Sequence, residues 1–227
     1  MDAASLTLNK ADCYNGLYVF ARDGGRMITI GLSGGIGSGK TEATRILQEM
    51  GAEVIIADQV GHEAYEPHTG AWKQVVETFG DDILQPDGQI DRRKLGAIVF
   101  SDPGEMAKLN AIMHPRMHTM MEERLGELEA KGAQVAVLEA AILVEAGWIS
   151  LVDEAWMLEV PEEVAVERIH QRNGLAEEEI RKRLRSQLSN EERARHAGEV
   201  IENTGDLEAL RLRLEELWNS RMQGRHS

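Results

Sequence analysis

Lys40 and Thr41, set behind a run of glycines, carry the plainest chemical signal in the chain. Gly34-Gly35-Ile36-Gly37-Ser38-Gly39-Lys40-Thr41 fits the spacing Gly-x-x-x-x-Gly-Lys-Ser/Thr. A triphosphate presents several negative charges that must be held at short range. Glycine has no Cβ, so such a loop takes dihedrals that other residues avoid and turns its N–H groups inward. A helix starting at the end of the loop adds unpaired N–H groups and the positive end of its dipole. In that arrangement Gly35, Ile36, Gly37, Ser38 and Gly39 contact a nucleotide through their backbone. Lys40 reaches the β- and γ-phosphates, and Thr41 offers its hydroxyl to Mg²⁺. The blander reading is a glycine-rich turn with a chance lysine. The loop also does not choose a reaction, since kinases, ATPases and GTPases share it.

Other residues are placed for chemistry by where their strands end. Glu53–Ala57 reads as a strand that runs into Asp58, and open α/β sheets gather function beyond the carboxyl ends of their strands. Asp58 also reads as an N-cap for a helix beginning near Gln59, and the two roles are compatible. Glu139 follows a third strand, 134–138. There it could steady a Mg²⁺-bound water, or equally be a buried, paired carboxylate. Arg168 and Arg172 are four apart and share a helix face. With Arg181, Lys182, Arg183 and Arg185 they make a basic stretch near the Asn173-Gly174 turn. Phosphoryl transfer uses positive charge supplied by a mobile helical lid. A solvated basic face paired with the chain's own acids explains the same residues.

The elements that must hold these groups follow from hydrophobic pattern. Ile28–Leu32 is a short apolar run that reads as a buried strand, and the loop leads on to a helix over 41–50. Gly51 sits where that helix would be capped. Further strands are expected at 154–160 and 199–201. Helices are expected at 60–66, 72–79, 92–100, 103–113, 115–131, 164–172 and 177–188. A final amphipathic helix follows Asp206, with Leu207, Leu210, Leu214 and Leu217 on one face. Strands alternating with helices predict an α/β protein with a five-stranded, parallel, doubly wound sheet. The core is expected over 27–58, 134–160 and 199–222. A helical insert occupies about 59–133, a lid about 164–190, and a tail 223–227.

Composition bounds the rest. The 227 residues carry a net charge of −14, with 42% hydrophobic and 28% charged side chains. That balance reads as globular and argues against nucleic acid or anionic membrane as the main partner. The lone Cys13 leaves no intrachain disulfide framework, and a reducing cytoplasm is the simplest setting. No apolar run is long enough to span a membrane. Residues 1–26 lack the pattern of a secretory signal, although 16–21 could form a short strand. They read as a disordered or loosely attached extension, of the kind an upstream start codon produces. Their acids, Asp2, Asp12 and Asp23, count against a transit peptide.

An ordered set of further motifs resembles the dephospho-CoA kinase family from Met27 to about Trp218. It comprises Gly-Leu-Ser-Gly-Gly-Ile-Gly-Ser-Gly-Lys-Thr at 31–41, Ile56-Ala57-Asp58, Phe79-Gly80, Asp87-Gly88, Asp91-Arg92 and Leu95. Leu109-Asn110-Ala111-Ile112-Met113-His114-Pro115, Arg168-x-x-x-Arg172 with Gln187, and Ile201-Glu202-Asn203-Thr204-Gly205 complete it. The resemblance implies a P-loop, nucleoside-kinase-like fold with core, CoA-binding insert and lid. It implies transfer of the ATP γ-phosphate, with Mg²⁺, to the ribose 3′-hydroxyl of dephospho-CoA, the last step of coenzyme A synthesis. It makes Asp58 the general base, with Lys40 and Arg172 neutralising phosphate charge. Asn203 and Gly205 fall on the nucleotide side. Asp58, Arg92, His114 and Arg168 fall on the acceptor side, though a histidine before a proline is also a common packed helix-start residue. Ala141-Ile142-Leu143-Val144-Glu145 departs from the family's Pro-Leu-Leu-Phe/Tyr-Glu. Glu42, Gly198 and Glu202 are smaller departures. The implied protein is a monomer or weak homo-oligomer.

Three alternatives are weaker. Another small-molecule P-loop kinase, of nucleoside monophosphate or gluconate type, lacks the His-Pro block and long insert. A guanine-reading switch needs an Asn-Lys-x-Asp loop, which does not occur. A dead homologue would not be expected to keep Lys40, Thr41, Asp58 and Arg172.

Overall fold

The computed structural model describes residues 26–223. The 1–25 part of the expected extension, with Cys13 and the suggested 16–21 strand, lies outside the described residues, as does 224–227 of the tail.

Ile28–Gly34 (β1) is buried everywhere except its first residue, so both of its faces must be covered. It is flanked on both sides by parallel neighbours. Ile30 lies opposite Val137 of Val135–Glu139 (β3), and Gly31 opposite Ala155 of Glu154–Glu159 (β4). Glu53–Ile56 (β2) and Glu199–Glu202 (β5) close the edges, giving the order β2-β3-β1-β4-β5 in a five-stranded parallel sheet. The edge strands carry the exposed charges Glu53 and Glu202, which suits strands with one open side.

Helices cover the two faces with separate cores. Lys40–Glu49 (α1) buries Ala43, Ile46 and Leu47, at helical spacing. It meets the last helix, residues 207–223, which buries Leu210, Leu214 and Leu217. Leu207, expected on the same stripe, is 46% exposed at the first residue of the helix. The other face carries Ala57–Ala64 (α2), Gly70–Phe79 (α3), Arg92–Ser101 (α4) and Pro103–Ala130 (α5), which share one core with Trp148 and Leu143. Asp91 caps α4 and Asp102 caps α5 through their carboxylates.

Two expectations need correction. The helices expected at 103–113 and 115–131 are one helix running through Pro115. Proline removes the N–H that would bond to Ala111 and crowds that carbonyl. The helix continues because its buried stripe, Leu109, Met113, Met117, Met121 and Leu125, lies on both sides of the break. Trp148 Nε1 also donates to the His114 carbonyl at 3.2 Å. The expected helix 177–188 ends early, at Arg185, and a further short helix that was not expected follows it. Glu162–Asn173 (α6) is followed by Glu177–Arg185 (α7) and a short Asn190–Ala194 (α8). The third begins with a reciprocal Ser189–Glu192 capping box. The helix 207–223 is α9, and Asp206 Oδ1 accepts from the Ala209 N–H at its start, as its sequence suggested. Branched aliphatic side chains in the lid helices, Val166, Ile169 and Ile180, form a third and minor core.

Candidate active site

The loop between β1 and α1 is shaped by its glycines and by what packs beneath it. Gly37 and Gly39 have φ of +81° and +96°, where a side chain is strained. A Cβ on Gly39 would stand 2.3 Å from Asn203 Nδ2. That same amide donates to the Ser38 carbonyl at 2.8 Å, so the residue after β5 braces the loop from below. Gly205 lies exposed just beyond it. α1 has no side-chain cap, which leaves its first-turn N–H groups facing the loop's mouth. Thr41 stands exposed on that turn.

Lys40 Nζ donates to the carbonyls of Gly34 at 2.7 Å and Gly35 at 3.2 Å. Burial holds its ammonium below the ordinary lysine range. Glu139 and Asp58 oppose that shift, while Arg193 and Arg172 add to it. Burial likewise lifts the Glu139 carboxyl above the usual carboxylate range, with Lys40 opposing and Asp58 adding. Lys40, Asp58, Glu139, Arg172 and Arg193 therefore lie within electrostatic reach of one point at the carboxyl edge of the sheet. The register puts Ile56 beside Glu139, and Asp58 two residues beyond Ile56.

Asp58 is not a cap. Ile56 occupies that position without a side-chain bond, and Asp58 falls inside the first turn of α2, where it is exposed. β2 thus stops short of the expected Ala57, and the helix begins there. A carboxylate on that turn is favoured by the positive end of the helix dipole.

The lid's basic residues divide into two groups. Arg181 pairs with Glu162 and Glu163 at 2.7 Å, and Arg183 with Glu179 at 2.6 Å, so these two are answered by the chain's own acids. Arg172 is exposed, bonds only locally to Asn173 at 3.1 Å, and acts on Lys40. Arg168 is half-buried on the same helix. Gln187 Oε1 accepts from the Ile36 N–H at 3.1 Å, tying the segment between α7 and α8 to the loop. A cleft of about 450 Å³ opens here, lined by Gly35, Ile36, Ser38, Gln187, Asn190 and Arg193 among others.

His114 sits on α5 with its ring edge-on to Trp148, centroids 5.5 Å apart, and burial lowers its pKa. It is thus mid-helix, not at a helix start. Arg92 is exposed at the start of α4 and lies within electrostatic reach of Tyr65, whose hydroxyl burial pushes upward. No hydrogen bond joins His114, Arg92 or Arg168 to the loop residues, so the structure does not gather them with Lys40 as tightly as Asp58 and Glu139. Glu145, the last residue of the segment that departs from the family pattern, pairs with buried Arg193 at 3.3 Å. At Gly198 the space a side chain would need is filled by Glu154, whose Cγ would lie 2.9 Å from a Cβ there. Sequence reading missed Arg193. The Ser189-x-x-Glu192 capping signature marked its helix, but nothing local marked its burial against the loop.

Comparison with known proteins bears on the family and the fold. The family model for dephospho-CoA kinase matches residues 28–209. A dephospho-CoA kinase of Geobacter sulfurreducens is 46% identical over 195 residues, covering 86% of this chain and 99% of that protein. Among solved structures, a protein of Thermus thermophilus is similar at 33% identity and TM-score 0.73, covering 86% of this chain and 98% of its own. The dephospho-CoA kinase of Campylobacter jejuni is similar at 25% identity and TM-score 0.66, with 86% and 98% covered.

Proposed function

The chain belongs to the dephospho-CoA kinase family, and we propose that it transfers the γ-phosphoryl group of ATP to the ribose 3′-hydroxyl of dephospho-CoA, giving coenzyme A and ADP. The observation that carries this reading is the convergence of Lys40, Asp58, Glu139 and Arg172 beside an uncapped helix start. An alcohol is a poor nucleophile, so a carboxylate in hydrogen-bond reach assists by taking its proton. Asp58 is assigned that proton. The new bond forms between the acceptor oxygen and Pγ, the bond from Pγ to the bridging oxygen breaks, and ADP leaves with the electron pair. Lys40 turns from the Gly34 and Gly35 carbonyls to the phosphates, and Arg172 closes over the migrating group. Asn203 and Gly205 keep the nucleotide side in place. Arg92, His114 and Arg168 are assigned to the acceptor, which the insert 59–133 receives while the 164–190 lid covers the phosphates.

The oxygen donors suit Mg²⁺. Among the described residues no three His, Cys, Asp or Glu side chains form a cage. Mg²⁺ does not need one, since it keeps waters and takes ligands from phosphate. Thr41 would hold the ion directly and Glu139 through a water, and the ion would neutralise phosphate charge. No described helix is long and apolar enough to cross a membrane. We further propose a cytoplasmic protein, a monomer or weak homo-oligomer, with no nucleic-acid or membrane partner, as its acidic net charge of −14 favours.

The test is ADP release with dephospho-CoA, AMP, CMP and gluconate offered in turn with ATP and Mg²⁺. Release that depends on dephospho-CoA and yields coenzyme A is expected. Release with AMP, CMP or gluconate and none with dephospho-CoA would replace this reading with another small-molecule kinase.

A further inference from the structure

Arg193 is a buried cation whose charge is only partly answered. Its side chain is 2% exposed, and it makes one ion pair, from Nη2 to Glu145 Oε1 at 3.3 Å. That is long for a charge-assisted hydrogen bond. Its Nε is buried with no acceptor. A guanidinium has five N–H donors, and a buried charge so thinly paired is costly unless a further anion completes it.

Its position says what kind of anion would do so. Arg193 Nη1 lies 3.3 Å from the point where a Gly35 Cβ would stand, so the missing side chain is what lets the guanidinium approach the loop. Lys40 Nζ is bonded to the carbonyl of the same Gly35. Two cations thus converge on one turn of the loop, and each makes the other less comfortable: Arg193 adds to the forces that depress the Lys40 ammonium. Gln187, the other side chain at that turn, is neutral and already accepts from Ile36. An oxygen-rich anion between Lys40 and Arg193 relieves the repulsion and fills the open donors together. In such a loop the lysine addresses the β- and γ-phosphates, so the group beside it addresses the same end.

We propose that Arg193, held by Glu145, is a second fixed cation of the site and binds the terminal phosphate of the nucleoside triphosphate beside Lys40. This rests on the phosphoryl-transfer reading above. Unlike exposed Arg172, it is in place before any nucleotide arrives, so its contribution is orientation without the cost of ordering a long side chain.

Titration calorimetry with a non-hydrolysable ATP analogue and with ADP tests the proposal on the full chain. In Arg193→Lys the analogue is expected to bind about 10- to 100-fold more weakly, the range for lost hydrogen bonds to a charged group. ADP affinity is expected to change less than about threefold, because ADP lacks the phosphate being read. Equal losses for both ligands, or no loss for either, would reduce Arg193 to a brace for the loop. Glu145→Gln keeps the arginine and serves if the first variant does not fold. Without the counter-charge the analogue is expected to gain on ADP by about threefold or more. An unchanged or smaller ratio there would also overturn the proposal. A wild-type protein that discriminates the two nucleotides yet does not phosphorylate dephospho-CoA would instead sink the functional reading and leave the phosphate site standing.

Discussion

Glu139 shows how a single carboxylate reports its surroundings. Burial raises its folded-state pKa above the unfolded value near 4.5. The folded protein therefore holds a proton that the unfolded chain has released, and stability falls as pH climbs from about 4.5 through the raised folded value. Glu139→Gln removes that loss. Its melting temperature is expected to exceed wild type at pH 8 and to converge with it near pH 4, as thermal melts across that range would show. A variant less stable than wild type at pH 8 would mean that the attraction of its charge to Lys40 outweighs burial. Residue-scale chemistry was legible where it is local. Lys40 and Thr41 were readable because the loop's demands fall on consecutive residues. Arg193 was not, because its role comes from packing α8 against a loop that lies far from it in sequence.

Elements were legible by period and misread where one residue argued against its neighbours. Pro115 predicts a helix break, and α5 ignores it because the buried stripe on both sides outweighs a local penalty of about 3 kcal/mol. Pro115→Ala should then restore one backbone bond and relieve the crowded Ala111 carbonyl. Part of that gain is offset by a looser unfolded chain, so a net stabilisation of about 1–2 kcal/mol is expected in urea unfolding. A loss of stability would show that the proline is needed to place His114 against Trp148. The reverse error occurred in the lid, where a continuous charged pattern hid the stop after Arg185. Asp58 was displaced by a similar margin. The strand ends one residue earlier than the apolar run suggests and the helix begins at Ala57, which moves Asp58 from the cap into the first turn of α2.

For the whole molecule, alternation of strands and helices was enough to predict a five-stranded parallel sheet, but not its order. Nothing in the pattern says that β3 inserts between β1 and β2. That insertion matters, since it brings Glu139 beside Ile56 and so beside the Lys40 and Asp58 charges. The same scale bears on the 1–26 segment, which we propose to be dispensable. Among the described residues the cores on either face of the sheet begin at Met27, and Arg26 pairs with Glu129 at the surface. A chain starting at Met27 is expected to keep its turnover and melting temperature. A fall of more than about 2 kcal/mol in unfolding free energy would show that the removed segment packs on the fold.

The central claim is that Asp58 and Lys40 perform phosphoryl transfer to an alcohol, and single-turnover kinetics of Asp58→Asn with ATP, Mg²⁺ and dephospho-CoA test it most directly. Asparagine keeps the shape of the side chain but neither its charge nor its ability to take a proton. Loss of the favourable dipole contact costs only about 0.3–1 kcal/mol, so the fold survives. The account predicts a rate of coenzyme A formation lower by roughly 10²- to 10⁴-fold, with ATP affinity little changed. A folded Asn variant that forms coenzyme A at the wild-type rate would contradict it.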